Sequence, residues 1–227
     1  VAIETFAIGR RGRWMSSTEV RTNDRLDRVR LGDETALAEL FSQERDRLWR
    51  MVQARLDRRL RGRVDPDDIL QEAYLDATRR IAHFANEPTM SFFLWLRLIV
   101  GQTLIDVHRR HLDAAMRDAG RDISIARGGP PGASSASLAG QLVAHLTSPS
   151  HAAMRAEMEA QLALAIDHLE PIDREVLVLR HFEELTNGEV AETLGIQVKA
   201  ASIRYVRAVA RLKAILERFP GFGEDLG

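Results

Sequence analysis

The chain has 227 residues, 45% of them hydrophobic and 29% charged, enough apolar material for a packed core in one domain or two small ones. Its 32 basic and 33 acidic residues leave a net charge of −1, so only the distribution of charge can speak about partners. Cysteine is absent, which excludes disulfides, thiol nucleophiles and thiolate metal sites, and no apolar run approaches the ~20 residues of a membrane span.

The first residue is Val1, and Met15 offers a second start. Residues 1–23 hold Arg10, Arg11, Arg13 and Trp14 without sustained periodicity, and are read as a disordered or misassigned extension. From Asp24 the spacing is helical. Leu37, Leu40, Phe41, Leu48, Val52, Leu56 and Leu60 recur at steps of three, four or seven, which predicts one helix stopping near Gly62. Asp65-Pro66-Asp67-Asp68 then combines a capping carboxylate, a proline suited to the first turn and two acids at the positive end of a helix dipole. That helix shows Ile69, Ala73, Ala77 and Ile81 on one face and is broken at Asn86-Glu87-Pro88-Thr89. A third runs from about Ser91 to His111, with Phe92, Leu96, Ile99, Thr103 and Val107 as its stripe. The first helical domain is thus placed at 24–122.

Residues 123–151 contain Gly128-Gly129-Pro130-Pro131-Gly132 and a run of Ala and Ser, too few large apolar groups to offset chain entropy by burial. They read as a linker, with room for a short helix around Leu138–Leu146. The second helical domain, 152–219, precedes a tail at 220–227. In it Thr186-Asn187-Gly188-Glu189 is a capping box, followed by a short helix to Leu194, a stop at Gly195 and a final helix from Val198 to about Phe219. Short helix, glycine turn and longer helix is the spacing of a helix-turn-helix. The fold class expected is all-α, two domains joined by a flexible linker.

The last helix carries six basic residues, Lys199, Arg204, Arg207, Arg211, Lys213 and Arg218, against Glu217 alone, on an otherwise acidic second half. Phosphate contact requires such a local basic face. Since the start of the second helix of a helix-turn-helix meets base edges, Lys199, Ala200, Ser202 and Ile203 are placed near bases and Arg204 and Arg207 nearer the backbone. In the first half, Asp67, Asp68, Gln71 and Glu72 line the outer side of an apolar helix; from the residues alone, dipole stabilisation and solubility explain them before a docking role does. Phe84, Phe92, Phe93 and Trp95 stand near Gln102, Arg109 and Arg110, a mixture suited to unpaired bases, although aromatics at helical spacing are more often core. Catalytic signals are lacking. His108 and His111 have only Asp106 and Asp113 nearby, and there is no HExxH, no G-x-S-x-G and no phosphate loop, so neither enzyme chemistry nor a metal or other cofactor is expected.

Together the residues resemble a known family. Leu169, Pro171, Arg174, Glu175, Val176, Leu179 and Arg180, then Leu185, Glu189, Val190, Ala191, Leu194, Gly195, Ile196, Arg204 and Arg207, are similar to the C-terminal DNA-binding region of bacterial RNA polymerase sigma factors. Asp67-Asp68-Ile69-Leu70-Gln71-Glu72 resembles the sigma segment that docks on the β′ clamp helices. Phe92-Phe93-Leu94-Trp95-Leu96-Arg97, with Asp106, Arg109 and Arg110, resembles the segment that melts and reads the −10 element. Both motifs in this order resemble the extracytoplasmic-function (ECF) group. The resemblance implies core-polymerase contacts by Asp67, Asp68, Gln71 and Glu72. It implies −10 contacts by Phe84, Asn86, Ser91, Arg97, Gln102, Arg109 and Arg110, and −35 contacts by Lys199, Ala200, Ser202, Ile203, Arg204, Arg207 and Arg211. The implied partners are core RNA polymerase, through its β′ and β subunits, promoter DNA and a separate anti-sigma protein, for a cytoplasmic chain that is monomeric when free. The competing reading is a stand-alone helix-turn-helix regulator with a helical sensing or dimerisation domain. Three features depart from the family pattern: Gln102 where Asn is common, Gln197, Lys199 and Ala200 at the turn, and an unusually basic stretch from Arg55 to Arg63.

Overall fold

The computed structural model describes residues 7–8, 14–15, 17–57, 59–113, 132–146 and 152–218. Two two-residue strands, Ala7–Ile8 and Trp14–Met15, pair antiparallel. The described elements after them are helical. In the first half these are α1 (Ser17–Arg30), α2 (Glu34–Arg55), α3 (Pro66–Asn86) and α4 (Phe92–His108), the last continued by a π-helical turn over Arg109–Asp113. The second half has α5 (Ser135–Leu146), α6 (Ala152–Asp167), α7 (Pro171–Leu177) with a π-helical turn over Val178–Phe182, α8 (Asn187–Leu194) and α9 (Val198–Leu216).

The capping logic of the sequence is realised. Asp65 accepts a hydrogen bond from the Asp67 N–H at 2.9 Å with Pro66 in the first turn of α3, and the Ser91 hydroxyl accepts from the Leu94 N–H at 3.3 Å to start α4. Ile69, Leu70, Ala73, Ala77 and Ile81 of α3 pack with Leu40, Leu48, Met51 and Val52 of α2 and Leu96, Ile99, Val100 and Leu104 of α4. That shared core fixes α3 and α4 side by side.

The structure corrects three boundaries. α1 begins at Ser17, inside the stretch read as an extension; its few apolar residues, Leu26 and Val29, are helped by Arg28, which pairs with Asp33 at 2.7 Å and Glu39 at 2.8 Å. α2 stops at Arg55 and not at Gly62, because the chain turns there while still burying Leu56 and Leu60. The helix allowed for at Leu138–Leu146 starts at Ser135. Leu138, Ala139 and Val143 bury against Met158, Leu162 and Ile166 of α6, so this part of the expected linker belongs to the second core. The stretches 123–131, 147–151 and 220–227 lie outside the described residues.

The two halves also touch. Val176, Leu179, Leu185 and Val190 join the core of the first domain, and Ala54 of α2 joins that of the second. Between them runs a set of ion pairs. Glu183, fully buried, accepts from Arg55 Nε at 2.5 Å and Arg97 Nε at 2.7 Å. Arg55 also reaches Glu175, Arg47 reaches Glu189 at 2.7 Å, and Arg50 reaches Glu184 at 3.0 Å.

Candidate nucleic-acid and polymerase interfaces

The helix-turn-helix is built by local chemistry. The Thr186 hydroxyl accepts from the Glu189 N–H at 3.2 Å while the Glu189 carboxylate accepts from the Thr186 N–H at 2.8 Å, which closes the capping box of α8. Gly195 ends that helix at φ 63°, a left-handed conformation in which a Cβ would be strained. α9 then leaves the turn with Lys199, Ile203, Arg207 and Arg211 exposed, four residues apart and so on one face. Ala200 and Ser202 are half-buried beside them.

Arg204 differs from its neighbours. It donates to Asp173 at 2.6 Å, a carboxylate with 1% of its side chain exposed, and lies 3.6 Å from Glu170. Its guanidinium is held above the usual arginine range chiefly by the hydrogen bond to Asp173. Here it fastens α9 to α7. The sequence reading also missed an apolar row on α9. Val198, Ile203, Val206 and Val209 are all exposed, Val206 by 64%. An irregular apolar pattern on the outer side of a basic helix was the available signal.

On α3, Asp67, Asp68, Gln71 and Glu72 are exposed at successive positions of one face. Asp67 pairs with Arg45 at 2.6 Å, and Glu72 with Arg110 at 2.7 Å, an exposed pair of the kind worth at most about 1 kcal/mol. Asp68 and Gln71 stand between them. The residues expected at the −10 element separate into three groups. Asn86, the last residue of α3, and Ser91, the N-cap of α4, are exposed; Gln102, Arg109 and Arg110 are exposed toward the other end of α4, with the Gln102 carbonyl accepting from Arg80 at 2.7 Å. At 1.5 Å per residue, Ser91 and Gln102 stand roughly 16 Å apart along the helix. A groove between α3 and α4 runs past Glu72, Asp76, Arg80, Gln102 and Arg109.

Phe84 and Arg97 are not on that surface. Phe84 is 3% exposed and stacks on Trp95 with ring centroids 4.6 Å apart, so in this arrangement the ring serves the core and offers no open face to a base. Arg97 is 2% exposed and bound to Glu183 from the other half of the chain. Arg55, at the head of the basic stretch, is likewise inside. Arg59 pairs with Asp57 at 2.9 Å, and Arg61 reaches Ser137 and, at 3.0 Å, the Gln53 carbonyl. Among the described residues, no group of three or more His, Asp or Glu is placed to hold a metal ion, and no helix is long and apolar enough to cross a membrane.

This geometry defines a class: a helical protein whose second half carries a helix-turn-helix. Residues 159–212 match Sigma-70, region 4. Along most of its length the chain is 26% identical over 201 residues to the ECF RNA polymerase sigma factor SigW of Bacillus subtilis, covering 86% of this chain and 96% of that one. It is 28% identical over 194 residues to the RNA polymerase sigma factor CarQ of Myxococcus xanthus, covering 84% and 95%. The structure of CnrH in complex with the cytosolic domain of CnrY shares the fold, with a TM-score of 0.51 at 19% identity over 88% of this chain and 99% of that one. Along most of its length the chain is thus similar to ECF sigma factors, and within its second half it matches Sigma-70, region 4.

Proposed function

We propose that this protein carries promoter recognition to core RNA polymerase and has no catalytic centre of its own. The observation that supports this best is the presence, in one chain, of an exposed cationic row on α9 and a separate acid-and-amide face on the first two turns of α3. A DNA-binding module alone has no need of the second.

In this reading α9 lies in the major groove of the −35 duplex. Lys199, Ala200, Ser202 and Ile203 face base edges, and Ile203 and Val206 suit the methyl groups of thymine. Arg207 and Arg211 neutralise phosphates. Arg204, already held by Asp173, orients α9 and reaches the backbone only by exchanging that partner. The turn from α3 to α4, with Asn86 and Ser91, receives the −10 element, and Gln102, Arg109 and Arg110 follow its backbone along α4. Phe84 and Arg97 join that surface only after rearrangement. Asp67, Asp68, Gln71 and Glu72 tether both functions to the polymerase β′ clamp helices, which places the protein in the cytoplasm. The division of the chain into a polymerase and −10 domain at 24–122 and a −35 domain at 152–219 belongs to the same proposal. So does a separate anti-sigma partner; CnrH, which shares the fold, is itself seen in complex with the cytosolic domain of a second protein, CnrY.

Binding of fluorescently labelled protein to core polymerase tests the tether. Asp68→Ala with Gln71→Ala should weaken binding tenfold or more without loss of helicity; unchanged affinity would overturn the assignment of this face. Glu72 is the poorer probe, because removing it also releases Arg110.

A further inference from the structure

The outer face of α9 is more apolar than a DNA-reading helix requires. Ile203, Val206, Ala210 and Ala214, at steps of three and four, form one exposed stripe, with the exposed Val209 beside it. At 1.5 Å per residue, Val209 lies roughly 16 Å beyond the start of the helix. Base edges are met by the first turns of such a helix. Contact with thymine methyl groups therefore accounts for Ile203 and Val206, but not for a stripe that runs on past Val209. Arg207, Arg211 and Arg218 line the edge opposite Val209. All three are exposed, and among the described residues none of them pairs with a carboxylate.

A face of this kind is complemented by a segment that is both apolar and acidic. Residues 219–227, outside the described part of the chain, follow α9 directly and have that composition. Phe219, Phe222 and Leu226 accompany Glu224 and Asp225, with no basic residue among them. Pro220-Gly221 is a turn dipeptide: proline presets the first corner of a type II turn, and glycine accepts the positive φ of the second. A reversal there leaves residues 222–227, which span about 20 Å when extended. The same length of helix leads from Arg218 back to about Tyr205. Laid antiparallel along the stripe, the segment brings Glu224 level with Arg211, Asp225 near Arg207 and Leu226 beside Val206. A second copy of α9 fits the face less well, because it would set arginines against arginines.

We infer that residues 219–227 dock along the outer face of α9, with Phe222 and Leu226 on the apolar stripe and Glu224 and Asp225 beside Arg211 and Arg207, and that duplex DNA must displace them to bind. The segment is short and its ion pairs lie at the surface, so as a free peptide it binds weakly. Attached to the end of α9 it acts at an effective concentration on the order of millimolar, enough to keep a weak contact occupied. The competition with DNA rests on α9 being the DNA-facing helix of the proposed function; docking itself is read without DNA.

Both measurements use the full chain. With no native cysteine, Gly227→Cys accepts a nitroxide, and isoleucine and valine methyl labelling reads its distance from α9 by relaxation broadening. Docking predicts broadening at Ile203 and Val206 that is lost on adding Glu224→Lys with Asp225→Lys. No difference between the two chains would overturn the inference. So would broadening carried from a nitroxide-bearing copy to an isotope-labelled one, which would give the face to a second molecule. The second measurement is the anisotropy of a short fluorescent duplex of mixed sequence. Phe222→Ser with Leu226→Ser should tighten binding about threefold. Both carboxylates remain, so the gain reports release of the segment and not weaker repulsion of phosphate. Val209→Ser should give a similar gain, and the three substitutions together should add nothing further, since all act on one contact. Unchanged affinity in Phe222→Ser/Leu226→Ser, or gains that simply add, would overturn the inference and leave the role of α9 standing. Docking without duplex binding by any variant would instead overturn that role, and the competition with it.

Discussion

In the proposed function both α4 and α9 face promoter DNA, yet the two helices are built differently. Twelve of the 17 residues of α4 are buried, including Arg97, Thr103 and His108, so it is a core helix that offers a ligand only a narrow outer strip, with Gln102 on it, and its ends. α9 buries Ala201, Ala208 and Leu212 and leaves Lys199, Ile203, Val206, Arg207 and Arg211 outside. A helix that must help to separate strands gains from being rigidly anchored; one that reads an intact groove gains from a free face. Changes along α4 should therefore report on folding, and changes on the outer face of α9 on binding.

That contrast is easiest to break where the expected effect is largest. Leu104→Ala on α4 should cost about 2–5 kcal/mol in chemical denaturation, since the fully buried side chain leaves a cavity, whereas Val206→Ala on α9 should stay within about 0.5 kcal/mol. Equal losses would show that α9 is no less integral than α4. Next in size, Thr186→Ala should lower stability by about 1 kcal/mol by opening the capping box of α8, and Thr186→Ser should restore most of it. Smaller still in stability, within about 0.5 kcal/mol, Arg207→Ala with Arg211→Ala should weaken duplex binding by the isolated protein across all sequences. It should also flatten the salt slope by about 0.9 for each arginine. A loss confined to one sequence would instead make these residues base readers.

The smallest effect belongs to His108. Its Nε2 accepts from the Asp57 N–H at 3.3 Å, so the ring is neutral there. Burial depresses its pKa below 6.5, outweighing the nearby Asp57 carboxylate, and Arg59 adds to the depression. A histidine with a depressed folded-state pKa contributes stability above its unfolded value that is lost as pH falls through the folded one. The denaturation midpoint should fall as pH drops below about 6.5, and less so in His108→Gln. Identical profiles would show that the histidine plays no part in the pH dependence. At lower pH Glu183 takes over: burial raises its pKa, but Arg55 and Arg97 together outweigh this and hold it below the ordinary carboxylate value. Its contribution is present above about 4.5 and disappears as pH falls through that lowered value.

Much of this was legible in the sequence because it is local. The Asp65-Pro66 start of α3, the break at Asn86-Glu87-Pro88, the Thr186–Glu189 box and the Gly195 turn each depend on residues within one or two turns of one another. The apolar spacing of α3 and α4 also translated directly into their shared core. Arg55 and Arg97 did not, since their partner Glu183 lies elsewhere in the fold, and the burial of Phe84 depends on its stacking against Trp95 across the turn from α3 to α4. Arg55 and Glu183 are 128 residues apart, and each alone looks like part of a solvated charged face. α1 was missed because ion pairs to α2 supplement its sparse apolar stripe. The start of α5 was missed because Ser135 and Ser137, small enough to be buried, read as linker. The polymerase-facing role proposed for Asp68 and Gln71 had no physical signature in the sequence beyond their polar character, and came from resemblance.

The central claim is that this protein gives core RNA polymerase a promoter specificity it otherwise lacks. The most direct measurement is transcription by purified core enzyme on a pool of its own genomic promoters, with and without this chain, mapping the start sites. The account predicts new starts that share two upstream elements and that disappear with Asp68→Ala/Gln71→Ala. No new starts, together with tight and specific duplex binding by the protein alone at physiological salt, would contradict it and point to a stand-alone regulator.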